Sequence, residues 1–299
     1  MYLTGFADEA GRDLATQVRA TLDLGWRHIE SRQIDGVNLH DLDEPAFERV
    51  VEQLGEAGVL VNCFGSTIAN WGCSVHDDFD DTLERVERAI PRMQRLGSKL
   101  VRVMSYRIEP DRGPEEQYVE KRFKRMRELV GRFVDEGLQP VHENCMNYGG
   151  MGWTYTLRML DAVQGLKLVF DTGNPCFTPD YRKPRPWPRQ SAFEFYSQVK
   201  EHVAYIHIKD ALYDAAADET RHTMPGDGHG DVRLILGDLL GSGYDGGISI
   251  EPHLASVFHD DQAVAQGEPY ALYVAYGRRL MEILDELGYG DRIELRAGV

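Results

Sequence analysis

The chain has 299 residues, of which 42% are hydrophobic and 27% are charged. These proportions are ordinary for a globular protein, and the length fits one α/β barrel, which typically needs roughly 250 residues. The formal net charge of −16 argues against nucleic acid as a partner, because a phosphate backbone is bound by clustered lysine and arginine. No apolar run approaches the roughly 18 residues that a membrane span needs, so no membrane association is expected.

The start of the chain has neither a basic segment nor an apolar core of the kind found in a signal peptide. The four cysteines form no Cys-x-x-Cys pair and are expected to be reduced thiols. The sequence therefore favours a cytoplasmic location.

Apolar runs alternate with amphipathic segments along the whole chain. In chain order the predicted elements are strand 3–6, helix 12–24, strand 28–31, helix 45–54, strand 59–64, helix 80–96, strand 100–104, helix 114–136, strand 138–143, helix 154–163, strand 167–171, helix 191–202, strand 203–208, helix 232–241, strand 248–251 and helix 269–287. Eight strand–helix units predict the α/β class, as a single (β/α)8 TIM barrel with one domain over residues 1–299. The proline-rich stretch 177–189 is either a flap beside the sixth strand, which loop lengths favour, or a hinge between domains.

Four of the predicted strands end on residues that can bind a metal or move a proton. These residues are Glu143, Asp171, His207 and Glu251, with successive spacings of 28, 36 and 44 residues. Such spacings accommodate one strand–helix–strand unit, which needs roughly 30 residues or more. Because the carboxyl ends of parallel strands meet at one face of a barrel, the four side chains are expected to lie together.

Three carboxylates and one imidazole make a ligand set dominated by oxygen. That set favours Mn²⁺ first, and then Mg²⁺ or Co²⁺, because these ions prefer oxygen ligands. Zn²⁺, whose typical sites are rich in thiolates, stays a further candidate. One such ion could polarise a sugar carbonyl and stabilise the enediolate that forms when the neighbouring C–H loses its proton. Two of the carboxylates could move this proton, one on each face of the carbon. The alternative is that all four are ordinary polar residues satisfied by loop backbone.

Several short motifs give the chain a family resemblance. They are Gly-Phe-Ala-Asp-Glu-Ala at 5–10, Ile-Glu-Ser-Arg at 29–32, Asp-Gly-Val-Asn at 35–38, His-Glu-Asn at 142–144, Asp-Thr-Gly at 171–173, His-Ile-Lys-Asp at 207–210, Pro-Gly-Asp-Gly at 225–228 and Ile-Glu at 250–251. Through them the chain resembles the xylose isomerase-like TIM-barrel superfamily of sugar isomerases and epimerases, which also contains inosose dehydratases and endonuclease-IV-type nucleases. The resemblance implies that the four strand-end residues bind the metal, and that Glu143 and Glu251 exchange protons on opposite faces of a ketose.

Two positions depart from the pattern of the ketose epimerases. Asn174 stands where many of them have a substrate-binding histidine, and Tyr213 stands where many have an arginine. The His-x-Lys-Asp form resembles that of the dehydratase-like members. Lys209 could accordingly polarise a carbonyl or act as an acid, although a salt bridge to Asp210 or Glu251 is an equally weighted alternative.

Five residues near the predicted strand ends are candidates for substrate contact: Asn174, Lys209, His253, Trp71 and His229. Trp71 could form an apolar wall over a sugar ring or cap the core. The two histidines could contact hydroxyls or support the site from outside. The glycine-rich stretch 226–230 resembles a phosphate loop, but no strand precedes it as a P-loop requires, so a turn at the barrel mouth is favoured.

The leading prediction is a divalent-metal-dependent isomerase or epimerase that acts on a keto sugar or sugar derivative by proton transfer. The first alternative is a lyase or dehydratase, similar to inosose dehydratase or acting by β-elimination on a keto-glycoside. The second alternative is a non-catalytic sugar-binding subunit. The expected partner is a small carbohydrate, with no nucleic acid and no membrane, and a homo-oligomer is compatible with the sequence.

Overall fold

The computed structural model describes residues 1–110, 112–255 and 268–296. Within them, eight parallel strands form a TIM barrel, which confirms the predicted fold class. The strands are β1 (Tyr2–Gly5), β2 (His28–Ser31), β3 (Leu60–Phe64), β4 (Leu100–Val103), β5 (Gln139–Glu143), β6 (Lys167–Asp171), β7 (Val203–Ile208) and β8 (Gly247–Ile250).

Eight main helices cover the outside of the strands. They are α1 (Leu14–Asp23), α2 (Glu44–Ala57), α3 (Phe79–Leu96), α4 (Val119–Asp135), α5 (Trp153–Ala162), α6 (Ala192–Val199), α7 (Val232–Gly241) and α8 (Pro269–Glu286). The strands are buried on both faces, which explains their nearly continuous apolar sequences. None of the helices in the described ranges combines the length and the apolar character that crossing a membrane requires.

The barrel closes through neighbouring parallel strands from β2 to β8 and then through β8 to β1. Between β1 and β2, one isolated parallel bridge joins Phe6 and Glu30. This junction is therefore the seam of the barrel.

Local signals fix several helix ends. The side chains of Asp13 and Asp43 accept hydrogen bonds from the backbone N–H groups of the first turns of α1 and α2, at 2.8 Å in each case. Gly58 and Gly97 follow α2 and α3 with left-handed φ angles of 64° and 70°, a conformation that glycine adopts without steric cost.

The predicted helix 114–136 is wrong at its start. Pro114–Glu116 forms a separate 3₁₀ turn, and Tyr118 has a left-handed φ of 53°, which interrupts the helix before α4 begins. Two short antiparallel hairpins were not predicted: Gln33–Ile34 pairs with Val37–Asn38, and Ala211–Asp214 pairs with Glu219–His222.

The proline-rich stretch 177–189 folds back on itself beside β6. Pro179 and Arg189 form an antiparallel bridge across it. Arg189 also binds Asp218 at 2.7 Å and lies 4.4 Å from the ring centroid of Tyr213. The stretch is thus tied to the second hairpin, at the mouth of the barrel.

Candidate metal centre

Strand alternation determines where three of the four predicted residues point. Side chains two positions apart share one face of a strand, and Val141, Val169 and Tyr205 pack together in a buried cluster separate from the outer core. Glu143, Asp171 and His207 each follow one of these residues by two positions. They therefore lie on the interior face, one layer nearer the carboxyl ends of the strands.

The structure brings Glu143, Asp171, His207 and Glu251 together. All four are buried, and one potential ligand atom from each lies within 4.8 Å of the others. In the sheet, Asp171 is paired with His207 in register, and the backbone N–H of Glu251 donates to the carbonyl of Ile208 at 3.1 Å. A buried group of three carboxylates and one imidazole can bind a divalent cation.

The Lys209 ammonium lies among these carboxylates. Its Nζ is 2.7 Å from Glu251 Oε2 and 3.0 Å from Asp171 Oδ2, and the side chain is only 2% exposed. It also donates to Asn174 Oδ1 at 3.1 Å. Of the two salt bridges considered for Lys209, the structure therefore contains the one to Glu251 and lacks the one to Asp210 among the described contacts.

Asn174 connects Lys209 with Glu143. Because an ammonium group only donates, the amide oxygen of Asn174 must face Lys209, and its Nδ2 then donates to Glu143 Oε1 at 2.8 Å. Arg102 Nη1 donates to the other oxygen, Glu143 Oε2, also at 2.8 Å. Both oxygens of Glu143 thus accept a hydrogen bond.

Asp171 is held by its surroundings in a single orientation. Its Oδ1 accepts from the backbone N–H groups of Gly173 at 2.8 Å and Asn174 at 2.7 Å, which leaves Oδ2 directed at Lys209. The side chain of Asn144 bonds both the carbonyl and the N–H of Asp171, at 2.9 and 2.7 Å. These contacts fix the ends of β5 and β6 relative to each other.

Burial and neighbouring charges drive the pKa values of the carboxyl groups apart. Burial raises the pKa of Asp171 to about 7, against the opposing effect of Lys209. Burial acts in the same sense on Glu251, but Lys209, His253 and His207 outweigh it and hold its pKa well below the usual range. Glu251 is therefore the more readily ionised of the two carboxyl groups.

The residues present fit a divalent cation. His207 is fully buried, yet neither of its ring nitrogens has a hydrogen-bond partner, and Nδ1 lies 3.7 Å from Glu251 Oε2. A buried imidazole nitrogen without a partner costs free energy unless something binds it. Metal coordination by Nδ1, together with oxygens of the three carboxylates, would satisfy it.

A cavity of about 110 Å³ opens above this group. Four of the predicted substrate-contact residues, Trp71, Asn174, Lys209 and His253, are among its lining residues. His229 is not among them. It is exposed, and its Nδ1 accepts from the backbone N–H of Tyr213 at 3.2 Å.

The glycine-rich stretch 226–230 binds a carboxylate of its own chain. The N–H groups of Gly226, Gly228 and Gly230 donate to Asp210 at 2.9, 3.0 and 2.8 Å, and that of Ala211 donates at 2.9 Å. These donors would otherwise be free to hold a phosphate. The structure therefore supports a turn at the barrel mouth over a phosphate loop.

The family model of the xylose isomerase-like TIM barrel matches residues 18–270. The chain belongs to this family. No curated protein matches it significantly.

Similar solved structures extend over nearly the whole chain. A xylose isomerase-like TIM barrel protein from Mycobacterium smegmatis, in complex with magnesium, is 17% identical, with a TM-score of 0.69 over 96% of this chain and 97% of that chain. The probable 3-DHS dehydratase AsbF from Bacillus anthracis is 14% identical, with a TM-score of 0.68 over 94% and 98%. D-allulose 3-epimerase from Methylomonas sp., in complex with D-allulose, is 15% identical, with a TM-score of 0.67 over 95% and 96%. At these identities the likeness shows a shared fold.

Sequence reasoning missed several polar residues of this xylose isomerase-like barrel. Arg102 on β4 and Glu30 on β2 are buried and contact the predicted ligands. Glu9, just after β1, accepts from the backbone N–H of His253 at 2.7 Å. A signal was available for Arg102, because a charged residue within the apolar run Leu-Val-Arg-Val requires a buried partner.

Proposed function

We propose that this chain is a divalent-metal-dependent enzyme that removes a proton beside the carbonyl of a small keto sugar or sugar derivative, and that it acts as an isomerase or epimerase. The observation that carries the proposal is the buried group of Glu143, Asp171, His207 and Glu251, with one potential ligand atom of each within 4.8 Å of the others. Its support from outside the chain is the fold shared with D-allulose 3-epimerase and with a magnesium-bound protein.

In this proposal the four residues hold one ion, with Mn²⁺ favoured. When bound, the ion would polarise the substrate carbonyl and lower the cost of negative charge on its oxygen. Glu251 would accept the proton, because its carboxylate lines the cavity. Glu143 would serve the opposite face, and Trp71 would exclude water from one wall.

The substrate is proposed to be small and uncharged. The cavity of about 110 Å³ is smaller than the roughly 300–1,000 Å³ of pockets for drug-sized ligands. Carboxyl groups outnumber buried cations among the described residues around the site: Asp8, Glu9, Glu30, Glu143, Asp171 and Glu251 face Arg32, Arg102 and Lys209. A phosphate group would meet more carboxyl groups than cations here, so a phosphorylated substrate is disfavoured.

A lyase is the second candidate, and the contacts of Glu143 favour it. An epimerase needs proton acceptors on both faces of the substrate carbon, whereas both oxygens of Glu143 already accept from Arg102 and Asn174, at 2.8 Å in each case. Glu251 is less fully engaged, because Arg32 is 3.3 Å from its Oε1 and its Oε2, although 2.7 Å from Lys209, accepts no hydrogen bond. A lyase needs one base and one acid, and Glu251 with Lys209 would supply that pair. The fold shared with the probable dehydratase AsbF is compatible with this alternative.

Turnover in heavy water with a panel of keto sugars and keto-glycosides tests the proposal. An epimerase returns an isomer that carries deuterium at the reacting carbon, and a lyase returns an unsaturated or dicarbonyl product. Chelation should abolish turnover, Mn²⁺ should restore it, and Glu143→Gln should lower kcat by at least about 100-fold, the lower end of the usual contribution of a general base. Glu201→Gln, on an exposed residue, is the matched control.

Three results would contradict the metal-dependent reaction: no divalent cation in the purified protein or on titration, full turnover after chelation, or unchanged turnover in Glu143→Gln. Sugar binding without any deuterium exchange would instead support the non-catalytic subunit.

A further inference from the structure

A buried carboxylate lies directly beneath the imidazole of His207. Glu30, on β2, is fully buried, and its Oε2 is 3.0 Å from His207 Nε2. The two residues belong to strands that are not neighbours in the sheet, so Glu30 reaches His207 across the barrel interior. It offers no atom to the group of four candidate ligands.

The position of Glu30 discriminates between the two ring nitrogens of His207. An ionised carboxylate only accepts hydrogen bonds, so its charge favours the ring form with the proton on Nε2. No hydrogen bond forms between the two groups in this structure, but the attraction between the carboxylate charge and the N–H dipole still acts at 3.0 Å. Glu251 exerts the opposite pull on Nδ1, but its Oε2 is farther away, at 3.7 Å, and is paired with Lys209 at 2.7 Å. The nearer Glu30 therefore leaves the lone pair on Nδ1.

Glu30 is itself held in place. Its Oε2 accepts from the hydroxyl of Tyr205 at 2.9 Å and from that of Ser249 at 2.7 Å. Asn62 donates to the Tyr205 hydroxyl at 2.9 Å, and Thr4 donates to Asn62 at 2.8 Å. A chain of hydrogen bonds thus crosses the barrel interior and orients Glu30 toward His207.

We propose that Glu30 is a positioning residue for the metal centre: it keeps the proton of His207 on Nε2 and so presents Nδ1 to the divalent cation. This inference rests on the metal dependence in the proposed function. With the opposite ring form, an N–H dipole would point at the ion and oppose its binding. Outer partners of this kind typically change metal affinity by about 10–100-fold.

Glu30→Gln tests the role, because the amide keeps the size of the side chain but can donate as well as accept. We expect the Kd for Mn²⁺, measured by calorimetry, to rise by about 10–100-fold. In metal-free protein with ¹⁵N-labelled histidine, at a pH where the ring is neutral, the NMR signals of His207 should shift from the Nε2–H form toward the Nδ1–H form. Glu201→Gln, the same change on an exposed residue, should alter neither readout.

Two milder variants keep the test decisive if Glu30→Gln does not fold. Tyr205→Phe and Ser249→Ala each remove one donor to Glu30, and each should weaken Mn²⁺ binding by a smaller factor, with a partial change of ring form. The inference is overturned if the ring form of His207 is unchanged in Glu30→Gln. If Glu30→Gln does not fold, an unchanged ring form in both Tyr205→Phe and Ser249→Ala overturns it. Weaker Mn²⁺ binding with an unchanged ring form would mean that Glu30 acts through its charge alone, and it also overturns the inference.

The NMR readout separates this inference from the proposed function. If the wild-type protein binds no divalent cation, the proposed metal-dependent reaction fails, while the ring form in metal-free protein still decides whether Glu30 orients His207.

Discussion

Lys209→Met should destabilise the protein strongly, because Lys209 is the ammonium closest to two buried carboxylates. Its Nζ lies 2.7 Å from Glu251 and 3.0 Å from Asp171, and all three side chains are at most 4% exposed. Removing one partner of a buried ion pair costs about 3–5 kcal/mol. That cost is a large share of the roughly 5–15 kcal/mol by which a domain is stable.

The cost should depend on pH. The pKa of Asp171 is already raised to about 7 by burial, so without Lys209 this carboxyl group takes up a proton in mildly acidic buffer and limits the loss. We expect a decrease in the free energy of unfolding near about 3 kcal/mol at pH 6, rising toward about 5 kcal/mol at pH 8. Added Mn²⁺ should narrow the gap, because a cation among the same carboxylates replaces the missing charge.

Urea unfolding of wild-type and variant protein, followed by circular dichroism in chelator and then with Mn²⁺, measures these differences. Lys121→Met, on the exposed face of α4, controls for the loss of a lysine and should change stability by less than about 0.5 kcal/mol. A loss below about 1 kcal/mol for Lys209→Met at pH 8, well under the cost of an unpaired buried charge, would refute the reasoning. It would mean that the two carboxylates do not depend on Lys209 for their charge compensation.

Three further predictions concern other parts of the site. Burial raises the pKa of Glu9 to about 7, so the stability that its protonated form contributes is full below the unfolded value of about 4.3 and is lost as pH rises through 7. The free energy of unfolding of the wild-type protein should therefore decrease between pH 5 and pH 8. In Glu9→Gln this decrease should be smaller by up to about 3 kcal/mol, as measured by urea titrations. Asp210→Ala should lower the free energy of unfolding by at least about 3 kcal/mol, because several backbone N–H groups lose a charged acceptor. The control Asp227→Ala, at an exposed position, should lower it by less than about 0.5 kcal/mol. Equal melting temperatures for the two variants would contradict this prediction. Of Trp71 and His229, only Trp71 lines the cavity. Trp71→Ala should therefore lower kcat/KM by at least about tenfold, which corresponds to about 1.4 kcal/mol of lost contact, while His229→Ala should leave kcat/KM within about twofold of the wild-type value. A larger loss for His229→Ala than for Trp71→Ala in steady-state assays would contradict this prediction.

The positions of the strand ends were predictable because the barrel repeats one simple unit. Each apolar run that ends on a polar residue places that residue at the same end of the barrel. The approach of Glu143, Asp171 and His207 therefore follows from strand direction together with the alternation of side chains along each strand. The partners of these residues were less predictable. Whether Lys209 bonds Asp210 or Glu251 depends on the loop at 226–230, whose N–H groups occupy Asp210.

Irregular backbone was also difficult to predict. A left-handed residue such as Tyr118 gives almost no sequence signal, because this conformation is rare outside glycine, asparagine and aspartate. The hairpin of Ala211–Asp214 with Glu219–His222 contains few apolar residues, so the alternation that marks a strand is weak there. Its Tyr213 stacks with Arg189 in the structure, a contact between distant parts of the chain.

The seam between β1 and β2 is the place where local opening of the barrel is expected. One bridge between Phe6 and Glu30 joins these strands, whereas the β8–β1 ladder pairs four residues from each strand. Local opening is cheapest where few backbone hydrogen bonds must break, so the amides that flank this bridge should exchange with solvent deuterium before those of β6 and β7. Because Glu30 lies at the seam and is 3.0 Å from His207 Nε2, opening of the seam would disturb the surroundings of the imidazole.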